Sequence, residues 1–219
     1  MTRALQMAIV AVGFAACVRA PVPAPRPPVV VSPVVVAPAP LLPAPPERVT
    51  PAPPGVDALL ARMTVEEKVG QLMMVGFAGK AVDESITQLV RGYRVGGVCV
   101  FGRNIQSAAQ IGKLNDEVRA LLADAVPPFI AVDQEGGNVV RISDGNLVLP
   151  GNMVLGAARS PALAYEAGLA QGEDLRRLGF NMNLAPVLDV NSNPLNPVIG
   201  IRAFGDDVGL VSELGAEFV

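Results

Sequence analysis

Two carboxylates and two arginines are the side chains of this sequence best suited to chemistry on a polar ligand. Asp133 and Glu135 stand two apart in "DQEGG", directly after the apolar run "PFIAV" (128–132). Arg141 follows eight residues beyond Asp133, and Arg202 lies in "VIGIRAFGDD". A carboxylate pair can divide acid and base work between its members. Arginine forks can clamp hydroxyl or acidic groups. Residues at i and i+2 need not converge, however. The same acids in a solvated turn would cap backbone amides, and each arginine would then be half of a surface ion pair. Gly136 and Gly137 fit either case, since they allow close backbone approach to a ligand or simply make the turn.

Other chemistries are removed by what the sequence lacks. It contains no histidine, so a Ser/His/Asp triad is excluded within these residues, along with the commonest nitrogen ligand for a metal. The two cysteines, Cys17 and Cys99, form neither a spaced metal motif nor a disulfide framework. "GFAGK" after the first apolar run is not a dinucleotide fingerprint, and no Walker loop is present. With a net charge of -3 and no run of Lys and Arg, nothing points to nucleic acid.

The elements that must position the charged residues alternate between strand and helix. Thr64 and Glu67 make a capping box for a helix to about Gln71. "LMMVGF" (72–77) reads as a buried strand, and Asp83 starts a helix with Ile86, Leu89 and Val90 on one face. "GGVCVF" (96–101) is a second strand. Ser107 and Gln110 form another capping box before Ile111, Leu114, Val118, Leu121 and Leu122 at helical spacing. "PFIAV" is the third strand. Ser160-Pro161 opens a helix that ends at Gly179. A fourth strand lies within "FNMNLAPVLDV" (180–190), and Asp206-Asp207 begin a last helix carrying Leu210, Val211, Leu214 and Phe218. Nearly continuous apolar strands alternating with helices predict an α/β fold with a parallel sheet. In such folds sites form at the carboxyl ends of the strands. "FGRN" (101–104), "DQEGG" and "LDVNSNP" (188–194) are expected there.

Three regions are expected along the chain. Residues 1–17 have the layout of a signal peptide: Arg3, an apolar run from Met7, then small residues before Cys17. The ending "FAAC" resembles a bacterial lipobox, which would make Cys17 a lipidation site and a membrane anchor. Residues 18–54 hold 14 of the 21 prolines and are expected to be a disordered, extended spacer of polyproline type. Residues 55–219 form the folded part. They supply about four βα units, whereas a closed eight-unit barrel needs about 250 residues. The sequence also stops inside an amphipathic helix, so it is expected to be incomplete.

Taken together, the motifs carry a resemblance. "MTVEEKVGQLMMVGF", "GGVCVFGRNI", "FIAVDQEGGNVVRI", "LPGNMVLGAARSPALA" and "GFNMNLAPVLDVNSNPLNPVIGIRAFGDD" occur in the order seen in glycoside hydrolase family 3. The chain resembles the N-terminal part of a bacterial β-N-acetylhexosaminidase of that family. The resemblance implies a (β/α)8 TIM-type barrel, of which about the first half is present. It implies retaining hydrolysis that releases terminal N-acetyl-β-D-glucosamine, typically from peptidoglycan fragments, without metal or other cofactor. By matching motifs, Asp133 resembles the aspartate that binds sugar hydroxyls, Arg141 the arginine beside it, and Arg202 a second substrate-binding arginine. Asn138 departs from the family, which usually has arginine there. The family's Lys-His pair, its acid/base histidine and its nucleophilic aspartate would all lie beyond Val219. The expectation is therefore an exported enzyme of the periplasm or cell envelope, whose first 219 residues bind carbohydrate and are inactive alone. A catalytically dead sugar-binding or scaffold protein of the envelope is the alternative.

Overall fold

The computed structural model describes residues 55–122 and 126–219. The expected signal peptide, Cys17 and the proline-rich stretch lie outside the described residues. Four strands form one parallel sheet in chain order: β1 (Met74–Gly76), β2 (Gly97–Val100), β3 (Phe129–Val132) and β4 (Met182–Asn183). Each crossover is helical. The helices are α1 (Val56–Arg62), α2 (Val65–Gln71), α3 (Glu84–Thr87), α4 (Ala108–Ala120), α5 (Asn152–Ala158), α6 (Pro161–Arg177) and α7 (Val208–Phe218). This is the α/β pattern expected of barrel units, with β1 and β4 at the edges among the described strands.

Alternation along the strands sorts their side chains onto two faces. Val98, Val100, Ile130 and Val132 bury themselves against Ile86, Val90, Ile111, Leu114, Val118 and Leu175 of the helices. The opposite face carries a row of paired positions, Gly76, Cys99, Ala131 and Met182. Three of the four are small, so the sheet is thin just below its carboxyl end. A second core joins α5, α6 and α7 through Ala164, Phe204, Val211, Leu214 and Phe218. The rings of Phe204 and Phe218 meet edge to face, with centroids 6.5 Å apart. Gly156 allows this packing, because a Cβ there would lie 1.6 Å from the Phe204 carbonyl oxygen.

Several caps are as expected. Thr64 and Glu67 form the full capping box, and Asp83, Ser160 and Asp207 cap their helices. The expected box at Ser107 is only half made. Ser107 Oγ accepts from Gln110 N, but Gln110 Oε1 accepts from Gln106 N at 2.8 Å instead. The Gln110 amide is drawn away because its Nε2 donates to the Lys80 and Asn104 carbonyls. The helix from Asp83 widens into a π-helical turn over Gln88–Gly92, which keeps both Ile86 and Val90 under the sheet.

The fourth strand is much shorter than its apolar run suggests. It pairs at only two positions, and Pro186 beyond it has no N–H for the ladder. Side-chain amides complete the edge. Asn181 Oδ1 accepts from Ile130 N at 2.6 Å, and Asn181 Nδ2 donates to the Pro128 carbonyl at 3.1 Å. Helices α1 and α5 went unanticipated. Each has seven residues and a glycine N-cap, with no side-chain cap to announce it.

Candidate functional site

Strand β3 ends at Val132, and the next three residues leave the sheet in alternation. Gln134 turns toward the helices and is fully buried, whereas Asp133 and Glu135 follow Ala131 on the other face. Gln134 fastens the segment from within. Its Oε1 accepts from the N–H groups of Arg141 and Ile142, at 2.9 and 3.1 Å, and its Nε2 donates to the Ile142 carbonyl at 2.8 Å. Asn183 clamps the Gln134 backbone from β4, accepting from its N–H and donating to its carbonyl, both at 3.1 Å. Asn183 Nδ2 also reaches Gln171 Oε1 on α6. The excursion between Glu135 and Arg141 is a tight turn, in which Glu135 N and Gly136 N both donate to the Val139 carbonyl. Gly136 sits at φ 93°, and a Cβ there would lie 2.5 Å from the Leu149 carbonyl oxygen. Glycine is therefore required by both conformation and space.

These constraints return Arg141 to Asp133. Arg141 Nη2 donates to Asp133 Oδ2 at 3.0 Å, with the side chains 30% and 22% exposed respectively. One oxygen of Asp133 is engaged and Oδ1 faces the open side, with no protein donor among the described residues. Arg202 meets the second carboxylate. Its Nε and Nη2 donate to Glu135 Oε2 and Oε1, each at 2.8 Å, a bidentate fork. Glu135 is 7% exposed and Arg202 24%. The Arg202 backbone is fixed as well, since Asn152 Nδ2 at the start of α5 donates to its carbonyl at 2.8 Å. The hydrogen bonds that Arg202 donates to Glu135 raise its pKa above the ordinary value, and Asp189 and Asp133 add to this. The guanidinium is thus a permanent charge.

The turn is therefore not a solvated acidic corner whose carboxylates cap amides. Nor are Asp133 and Glu135 an acid/base pair. Glu135 spends both oxygens on the Arg202 fork and is itself buried, so it is held in a structural pair rather than presented to a ligand. Asp133 is different: it shares one oxygen with Arg141, is partly exposed, and stands over a floor of small side chains. Such a group accepts hydrogen bonds from ligand hydroxyls. Three of the five N–H donors of Arg202 are spent on protein, since Nη1 also donates to the Val198 carbonyl at 3.3 Å. The structure thus brings Asp133, Arg141 and Arg202 to one rim, with Arg202 held a step back by Glu135.

The profile of the glycosyl hydrolase family 3 N-terminal domain matches residues 64–219. The chain belongs to glycosyl hydrolase family 3. It is 34% identical over 176 residues to β-hexosaminidase A of Pseudoalteromonas piscicida, covering 70% of this chain and 29% of that protein. Among solved structures, it is similar to a family 3 β-N-acetylglucosaminidase from Paenibacillus sp., with TM-score 0.69 and 48% identity. That match covers 72% of this chain and 30% of the other. A β-N-acetylhexosaminidase of Beutenbergia cavernae matches with TM-score 0.65 and 31% identity, covering 72% and 50%. The chain therefore spans about a third to a half of the length of these relatives.

Family membership fixes the architecture as that of a TIM-type barrel, whose sites lie at the carboxyl face. The rim built by Asp133, Arg141 and Arg202 is on that face. Sequence reasoning missed the amides that assemble it: Gln134, Asn152, Gln171 and Asn183. A signal for one of them was present, because Asn183, like Asn181, interrupts an otherwise apolar strand, where a polar residue needs a buried partner. Among the described residues no cluster of metal-ligating side chains occurs, and no helix is long and apolar enough to cross a membrane.

Proposed function

We propose that the protein to which this chain belongs is a retaining β-N-acetylhexosaminidase that releases terminal, non-reducing N-acetyl-β-D-glucosamine from peptidoglycan fragments. The chain carries the substrate-binding rim of that enzyme and is inert alone. The observation that supports this best is Asp133: a carboxylate with one oxygen held by Arg141 and the other without a protein donor among the described residues, at the carboxyl face of a family 3 barrel. Relatives named β-hexosaminidase and β-N-acetylglucosaminidase support the choice of sugar.

The chemistry assigns distinct tasks. Asp133 accepts hydrogen bonds from sugar hydroxyls, and Arg141 holds its other oxygen in place. The Arg202–Glu135 fork holds the turn, and the N–H donors that Arg202 does not spend on protein are left for the ligand. A separate aspartate attacks the anomeric carbon, and the leaving-group oxygen takes a proton from a general acid. Water then hydrolyses the covalent glycosyl-enzyme with retention of configuration. Binding through Asp133 contributes positioning, which is strengthened where the ring distorts toward the transition state. Export to the periplasm or cell envelope belongs to the same reading, with Cys17 lipidated as an anchor. The support is the Arg3, apolar and small-residue order of residues 1–17.

The test is hydrolysis of 4-nitrophenyl N-acetyl-β-D-glucosaminide. The 219-residue chain is expected to give no turnover, and the gene product containing it is expected to turn over and to lose this with Asp133→Ala. Turnover by the 219 residues themselves, abolished by Asp133→Ala, would overturn the division of labour. Saccharide binding without turnover by the gene product would instead favour the envelope scaffold.

A further inference from the structure

One charged residue on the rim is used by nothing described so far. Arg103 lies in the short 3-10 turn Gly102–Asn104 that follows β2. Its guanidinium carbon stands 4.5 Å from the centroid of the Phe101 ring, a cation–π stack. Its Nε donates to the Phe77 carbonyl at 3.1 Å, the one hydrogen bond it makes among the described residues. The group is exposed, yet it is fixed at two points. Asn104 locks the turn beneath it, accepting from Phe101 N and donating to the Phe77 and Gly79 carbonyls.

Its position is set by Gly76. A Cβ on Gly76 would come 3.0 Å from the Phe101 ring and 3.1 Å from Arg103 Nη2. The ring and the guanidinium therefore lie over the small-residue face of the sheet, on the side of Cys99, with which Gly76 pairs. Phe101 and Asp133 are each one residue beyond the last paired positions, Val100 and Val132, so they leave adjacent strands side by side. Cys99 beneath them feels the whole group. Burial raises its thiol pKa and Asp133 raises it further, while Arg141 and Arg103 lower it. The rim is polarised: an unpaired cation after β2, a compensated pair after β3, and Asp189, which acts on Arg202, after β4.

We propose that Arg103 is a specificity-determining residue that receives a carboxylate of the ligand beside the sugar held by Asp133. This rests on the saccharide reading above and deepens it. A neutral oligosaccharide has no use for a fixed, unpaired guanidinium with two free terminal nitrogens. A saccharide bearing a carboxylate on its second ring would take both nitrogens in a fork. Stacking on Phe101 and the bond to Phe77 hold the fork in place, so little side-chain entropy is lost on binding.

The experiment compares two disaccharides on the 15N-labelled 219-residue chain by NMR titration. One is N-acetylglucosaminyl-N-acetylmuramic acid, and the other is N,N'-diacetylchitobiose, which lacks the lactyl carboxylate. The acidic disaccharide is expected to bind about fivefold to tenfold more tightly at low salt, as one exposed charge-assisted contact gives. Arg103→Gln is expected to erase that preference and leave the affinity for chitobiose unchanged. Arg103→Lys, which keeps the charge and loses the fork, should retain part of it. Far-UV circular dichroism of each variant checks that the fold persists. Equal affinities in the native chain, or a preference that survives Arg103→Gln, would overturn the role of Arg103 alone. Binding of neither disaccharide would overturn the saccharide reading together with it.

Discussion

Replacing Glu135 with glutamine removes one charge from a two-point ion pair and changes little else in shape. The native pair has two hydrogen bonds of 2.8 Å, with Glu135 7% and Arg202 24% exposed. Breaking a fully buried pair by removing one partner costs about 3–5 kcal/mol, because the remaining charge is stranded. Arg202 is a quarter exposed and recovers some hydration, and glutamine still accepts one bond. The expected loss is therefore about 2 kcal/mol. For a domain of this size that lowers Tm by roughly 4–8 °C. The sequence has no tryptophan, so urea or thermal unfolding is followed by far-UV circular dichroism. The double variant Glu135→Gln/Arg202→Gln should lose less than the sum of the singles, with a coupling of about 1.5 kcal/mol. Because the pair is mostly shielded, 0.5 M salt should change this coupling little. A single-variant loss below about 0.5 kcal/mol, or strict additivity, would show that the pair is an ordinary surface contact.

Three further outcomes follow from the same geometry. Gly136→Ala places a Cβ against two backbone carbonyls at a φ of 93°, and should destabilise by at least about 2 kcal/mol in urea unfolding; a neutral effect would mean the turn is not constrained as described. Asn183→Ala strips the Gln134 backbone of its clamp and should cost about 2 kcal/mol while weakening saccharide binding seen by NMR; unchanged binding would detach the amide network from the rim. Burial first, and Asp133 second, raise the Cys99 thiol pKa. The neutral thiol is therefore favoured in the fold: its stabilising effect is complete below the ordinary thiol value and is lost as pH rises through the higher folded one. Iodoacetamide should modify Cys99 at pH 8 about tenfold more slowly in the native chain than in urea, read by peptide mass, and equal rates would contradict the burial.

Much of this molecule was legible in its sequence because local rules carried it. The order of four strands and their helices followed from apolar runs and from caps at Thr64, Asp83, Ser160 and Asp207, whose short side chains reach nearby amides. The i, i+2 spacing left open whether Asp133 and Glu135 converge, and it is the alternation continued past the end of β3 that sends both to one face. What could not be read was long-range pairing. Nothing local distinguishes Glu135, buried by Arg202 from 67 residues away, from Asp133, which shares an arginine eight residues on. The length of β4 was also hidden, because Asn181 and Asn183 replace ladder bonds with side-chain amides. "FGRN" was legible as a strand-end segment, but where the Arg103 guanidinium stands depends on its contacts with Gly76 and Phe101 in the folded chain.

The most direct test of the rim as a saccharide site is an amide chemical-shift map of the 15N-labelled chain titrated with N-acetylglucosamine. The shifts are expected to cluster at Phe101–Asn104, Asp133–Ile142 and Arg202, and to vanish with Asp133→Asn while the rest of the spectrum is preserved. Shifts centred instead on the apolar groove of α2, around Val65, Val69, Met73 and Tyr93, or unaffected by Asp133→Asn, would contradict it.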